Sequence, residues 1–281
     1  MTAPSRRPAR WPAALAAAGV VALLLLGGLA GPAPASPDQG RPGSYCAVSG
    51  STPPDHAWII ALYTRLLDRC PSPADLDHWA GRLAGGLSRY AVAEAVDRSD
   101  EGTAATIAAA YGKPLGRAAT PDERARWTAH LRTARDDAAL LAAVYGSDEY
   151  FELGSKRRAE DPSPRDEGLG TDEGWLDDMY QTLLARPPDE AGHAHFLASF
   201  GPAGSTSTTR ARVVMAMLRS PEAARLAVRD GYLSDLDREP DPAGLAFWVD
   251  WLRGRSHWQT ARFRSRLRSS DEGYALAGRI A

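Results

Sequence analysis

The sequence predicts an all-α protein of tandem helical repeats, four copies of about 50 residues arranged as two pairs. Two regularities lead to this. Tyr63, Tyr111, Tyr180 and Tyr232 are each followed sixteen residues later by an aromatic ring, Trp79, Trp127, Phe196 and Trp248. Each tyrosine is also followed by a leucine at the fourth position (Leu67, Leu115, Leu184, Leu236) and an arginine at the sixth (Arg69, Arg117, Arg186, Arg238). Aromatics make up only 8% of the chain, so four coincidences at one offset mark a duplicated unit. A third observation concerns the intervening residues, which read as the end of one helix and the capped start of another.

The elements follow in order. Arg6, Arg7 and Arg10 precede an apolar run from Ala13 to Ala30, and Ala33-Pro34-Ala35 supplies small residues for cleavage. Residues 1–35 therefore read as a secretory signal peptide, or, if uncleaved, as a membrane anchor long enough to span a bilayer. Residues 36–57 form an N-terminal arm, 58–153 the first repeat pair, 154–174 a linker and 175–281 the second pair. The linker is assigned from "GSKRRAEDPSPRDEGLG", which is polar, proline-bearing and without helical period. Trp58 and Trp175 each stand five residues before the tyrosine of an opening copy, and neither second copy has such a tryptophan.

Within each copy the turn has legible chemistry. Ser72, Thr120, Asp189 and Asp241 lie nine residues past the tyrosine and are N-cap types, whose side-chain oxygen accepts from exposed backbone N–H groups. Pro73, Pro121 and Pro242 follow at the first helical position, where a missing N–H costs nothing, with Glu190 in that slot of copy three. The recurring arginine sits at the negative end of the first helix, within reach of acids such as Asp75, Asp122 or Asp241. Leu245, Trp248, Val249 and Leu252, like Leu76, Trp79, Ala80 and Leu83, obey i, i+3, i+4, i+7 spacing. That spacing points the repeated aromatic into a core. "SDEG" at Ser99 and Ser270, "SDEY" at Ser147 and "SPEA" at Ser220 begin later helices. Ser99 and Ser220 lie twelve residues before Tyr111 and Tyr232, so the closing helix of one copy should run on as the opening helix of the next.

Charge narrows the function. The chain carries −2, and loss of the leader removes three arginines and no acids, leaving −5. An acidic body argues against nucleic acid as a partner. Cys46 and Cys70 are the only cysteines, and outside the cytosol a disulfide is expected. It would close a loop worth roughly 3.5 kcal/mol on the chain-entropy model.

No G-x-S-x-G elbow, H-E-x-x-H helix or phosphate loop with lysine occurs. His193 takes the apolar-face slot of Leu76 and Leu245, as a packed or helix-end residue would. No catalytic residue, metal or cofactor is expected. The most informative break in the repeat lies in copy four, which adds Trp251 and His257-Trp258 among Arg262, Arg264 and Arg266. Residues 251–281 carry +5 against −10 for 36–250. These six residues are the candidate binding set, toward an anionic wall polymer or an acidic envelope protein. The alternative is that the tryptophans cap the terminal repeat and the arginines are solvated.

The pattern "Y…LLxRxPDxxGLxYW…L…G…SxEY" resembles the bacterial family of domain of unknown function forty-two-fourteen. The similarity is nearest over Tyr232–Leu252, then Tyr63–Gly86 and Tyr180–Phe200. Copy two departs most, with Glu123-Arg124 replacing the "AG(L)" seen at Ala243-Gly244-Leu245, and copy three inserts "GPAGSTSTTR" before its later helix. The resemblance implies an all-helical module of secreted or surface-associated proteins, with no catalytic residues. The expected function is a secreted, non-enzymatic interaction or scaffold protein at the cell envelope. A carbohydrate- or wall-polymer-binding accessory protein is the first alternative, and a hydrolase without a recognisable motif the second. The membrane enters only if the leader stays uncleaved.

Overall fold

The computed structural model of this chain describes residues 46, 49, 51–134, 136–153, 170–254 and 259–280, without the side chains of 278–280. The expected leader, most of the arm and linker, and candidate residues His257 and Trp258 lie outside the described residues. All regular structure among the described residues is helical. Copy one comprises α1 (Pro54–Leu67), α2 (Pro73–Ala84) and α3 (Arg89–Asp97), and copy two α4 (Asp100–Leu115), α5 (Pro121–Thr133) and α6 (Asp137–Tyr145). Residues 148–153 form α7. Copy three comprises α8 (Asp172–Leu184), α9 (Glu190–Phe200) and α10 (Ser207–Leu218), and copy four α11 (Pro221–Leu236), α12 (Pro242–Arg253) and α13 (Thr260–Arg268), before α14 (Asp271–Ile280).

The cap chemistry is realised at every predicted position. Ser72, Thr120, Asp189 and Asp241 accept from the backbone N–H of Asp75, Glu123, Gly192 and Gly244. Ser99, Ser147, Ser220 and Ser270 do the same for Gly102, Tyr150, Ala223 and Gly273. The shared helices are also present: α4 runs from the Ser99 cap through Tyr111, and α11 from the Ser220 cap through Tyr232. Each opening helix stops on a left-handed residue between the leucine and the arginine: Asp68, Gly116, Ala185 and Asp237, with φ of 52°, 65°, 54° and 53°. Only copy two places glycine at this position, where a side chain is otherwise strained.

A third helix in each copy (α3, α6, α10, α13) was not separable in the sequence. Two of them start without a side-chain cap at Asp136 and Gln259, whereas α3 and α10 start on Ser88 and Thr206 caps that went unread. They nevertheless form the seam of the molecule, because α6 packs on α10 and α3 on α13. The two repeat pairs close on one another. Trp175 of α8 donates its Nε1–H to the Tyr145 carbonyl at the end of α6 (3.0 Å), and Trp58 of α1 donates to the Arg268 carbonyl at the end of α13 (2.9 Å). Tyr150 of α7 bonds Asp178 of α8 (2.5 Å), and Tyr274 of α14 bonds Asp55 of α1 (2.6 Å). The opening tryptophans are thus reciprocal joints of a closed, pseudo-twofold arrangement. Ala277 of α14 completes the core of copy one, formed by Trp58, Ile59, Leu62, Tyr63, Val92, Ala93 and Val96. The other three copies share one continuous core.

Cys46 and Cys70 are disulfide-bonded, with Cα atoms 5.6 Å apart, which ties the arm to the turn after α1. No helix among the described residues is long and apolar enough to cross a membrane.

Candidate functional site

The recurring arginine nucleates the same polar clasp four times. Its guanidinium lies over the ring of the tyrosine six residues earlier, at 5.0, 5.2, 5.1 and 5.0 Å for Arg69, Arg117, Arg186 and Arg238. It donates to the carbonyl of the following residue. Two further nitrogens reach a glutamate of the later serine-capped helix: Glu101, Glu149, Glu222 and Glu272. These glutamates were missed in the sequence, although each stands two residues after its cap serine in all four copies. In copy two the nearer acid is Glu123 (2.9 Å) and not Asp122, because only the third helical position faces back toward the cap.

Copies differ in where that nearer acid sits. In copies one and two it is Asp75 or Glu123 at the third helical position, closing a capping box with Ser72 or Thr120. In copies three and four the acid is the cap itself, where Asp189 accepts from Arg186 (3.1 Å) and Asp241 acts on Arg238 through its charge, and the third position is glycine. A Cβ there would come within 2.3 Å of the Tyr180 hydroxyl in copy three and 2.9 Å of the Tyr232 hydroxyl in copy four. The tyrosine oxygen occupies the space the acid vacates.

The Arg117 hydrogen bonds draw the Glu123 carboxyl down to about 2. A carboxyl depressed in the folded state stabilises above its ordinary range and loses that contribution as pH falls toward about 2. Arg117→Ala, Glu149→Ala and the double variant, compared by urea denaturation, should give a coupling of about 1 kcal/mol. A coupling near zero would reduce the clasp to a surface ion pair.

The repeated aromatics point inward as expected. Trp79 and Trp127 donate Nε1–H to the Tyr63 and Tyr111 hydroxyls (2.8 and 3.0 Å), and Phe196 packs edge-on against Tyr180. Only Trp127 is fully buried, since α2, α5, α9 and α12 lie at the periphery. His193 is half-buried on α9, with Nε2 3.2 Å from Asp177.

The candidate basic set divides into two faces of α13. Arg262 donates to the Tyr90 hydroxyl of α3 (2.9 Å), and Arg266 lies over the Tyr90 ring (4.6 Å) and near Trp251 (5.9 Å). Arg264, only 2% exposed, turns the other way and binds Asp235 of α11 (2.8 and 3.0 Å), together with Arg268 (3.0 Å). Neither sequence reading anticipated this, because Arg264 is neither solvated nor presented to a partner. Four residues apart on a helix, 262 and 266 share one face and 264 and 268 another; the 264/268 face is buried, whereas on the other Arg262 is half-buried and Arg266 exposed. Trp251 is half-buried against Trp248. Copy four also presents Phe247, 60% exposed on α12 beside Trp248. Among the described residues no group of three or more His, Cys, Asp or Glu is placed to hold a metal ion.

Helix order, shared helices and a fourfold clasp define a tandem helical-repeat protein. Two regions of the chain, residues 44–106 and 167–227, match the family model Domain of unknown function (DUF4214). Both regions begin ahead of the joint tryptophan and end inside the serine-capped helix, so each match spans the opening copy of a pair. Copy four, where the resemblance reads nearest, falls outside the matched residues. No curated protein and no solved structure matches the chain.

Proposed function

We propose that this protein is an exported, non-enzymatic scaffold that presents a closed set of helical repeats to a partner at the bacterial cell envelope. One observation carries the reading. The polar groups that recur in every copy, the arginine and the serine-helix glutamate, bond other residues of the chain. The repeat signature is therefore used to build the fold, and recognition falls to surface that varies between copies.

The test is retention of an envelope component on immobilised residues 36–281. Deleting copy four is no control here, since α14 completes the core of copy one and α13 packs on α3. A set of outward substitutions, led by Phe247→Ser, serves instead. Retention of one component by the parent and its loss in a folded surface variant is the expected result. Turnover of a wall substrate by the purified protein would overturn the reading.

Phe247 supports a second reading, carbohydrate binding. An exposed ring beside Trp248 and Trp251 on one helix offers an apolar face to a sugar. Glycan-dependent tryptophan fluorescence that disappears in Phe247→Ser would favour it over a protein partner.

A further inference from the structure

α13 starts without a cap of its own, because the Gln259 side chain accepts no backbone N–H of the first turn. The cap comes from the other repeat pair. Asp137 Oδ2 accepts the Thr260 hydroxyl (2.8 Å) and the Ala261 N–H (3.3 Å). Asp137 is itself the first residue of α6, so two helix N-termini meet at one carboxyl group. The group is 8% exposed and adjoins a cavity of about 80 Å³, lined in part by Glu94, Asp97, Thr103, Arg132, Gln259 and Arg262, through which a proton can arrive.

The surrounding charges are named by element. α3 contributes Glu94 and Asp97, and the following corner Arg98; α5 contributes Arg132, the cap of α6 Asp136, and α13 Arg262. Three arginines nearby bond elsewhere: Arg132 to Asp100, Arg262 to Tyr90 and near Glu94, and Arg219 to Asp136. The two donors to Asp137 are therefore neutral, and its charged neighbours are carboxylates together with Arg98 on the same cavity wall.

We propose that Asp137 is a pH-sensitive latch, which tightens the hold of the first repeat pair on α13 when protonated and loosens it when ionised. Burial, with the charges of Asp97 and Asp136, pushes this carboxyl up to about 7, against the bonds from Thr260 and Ala261. A carboxyl raised in the folded state makes the folded form the better proton binder. Its stabilising effect is then present in acid and is lost as pH rises from the ordinary aspartate range through about 7. The neutral acid keeps a carbonyl oxygen for both donors and sheds the penalty of a buried charge.

The test is amide hydrogen exchange on the full chain at pH 5.5 and 8.5, corrected for intrinsic rates. Protection of 260–268 should fall about tenfold or more between the two, while 207–218, seated on the far end of α6, holds steady. Asp137→Asn, which keeps an uncharged oxygen acceptor, should retain the acid-level protection at both pH values. Equal protection of 260–268 at both pH values in the parent would overturn the latch. So would equal losses in 207–218, or a pH response that survives in Asp137→Asn. Should that variant not fold, the carbon resonance of the Asp137 carboxyl in the parent decides, and a midpoint in the ordinary aspartate range sinks the proposal.

Discussion

Asp235→Ala is expected to destabilise the protein by about 3–5 kcal/mol, read as a lowered urea midpoint with an unchanged slope. Asp235 is fully buried on α11 and accepts three hydrogen bonds from Arg264 and Arg268, while its backbone carbonyl lies 3.5 Å from Arg65 of α1. Its removal takes the hydrogen-bonded carboxylate from two interior guanidinium groups and leaves Arg264 only Asp230 at 3.8 Å, and an under-compensated buried charge costs far more than the intact pair contributes. Replacing all three residues with apolar side chains of similar volume should restore most of the loss, because the desolvation cost leaves with the charges. A single variant losing less than about 1 kcal/mol would show that solvent reaches this cluster.

Asp235 also sets one pH limb. Burial raises its carboxyl, but the charges of Arg268 and Arg264 outweigh burial and hold it below its ordinary value. Its contribution is present above the ordinary range and is lost as pH falls through the depressed value. Asp137 has the opposite slope, so the two together place maximum stability on the mildly acid side of neutrality.

Trp58→Ala should cost about 3–5 kcal/mol, and Trp58→Phe about 1–2 kcal/mol through loss of the N–H donor to a buried carbonyl. Trp58 is 2% exposed and joins α1 to both α13 and α14. Since α14 seals the copy-one core, the whole molecule should melt in one transition that shifts as a unit. Trp175→Ala, at the reciprocal joint, should behave likewise. A variant in which one repeat pair melts early and the other keeps its parent midpoint would disprove the closed arrangement.

Much of the fold was legible because its determinants are local. A cap residue, a proline at the first helical position and an apolar stripe act within a few residues of themselves, so α2, α5, α9 and α12 could be placed with their start positions. The shared helices α4 and α11 followed from a count between Ser99 and Tyr111, and between Ser220 and Tyr232. The clasp was only half legible: Arg69 could be matched to Asp75 six residues on, whereas its bond to Glu101 spans 32 residues. That glutamate carried a signal nonetheless, as the third member of a serine-acid-glutamate or serine-proline-glutamate start found in every copy.

The candidate site was legible as residues but not as a role. A run of arginines around Phe263 and Leu267 is the same string whether α13 ends in solvent or inside the molecule. By itself the sequence determined the helical class, the fourfold period, the pairing of copies and the helix starts, since each rests on spacing along one stretch of chain. Only the tertiary structure decided that the two pairs close, that Arg264 and Arg268 meet Asp235 inside, and that Asp137 caps a helix 123 residues away. Those outcomes depend on which buried charges find partners, and that is settled by packing between helices far apart in the chain.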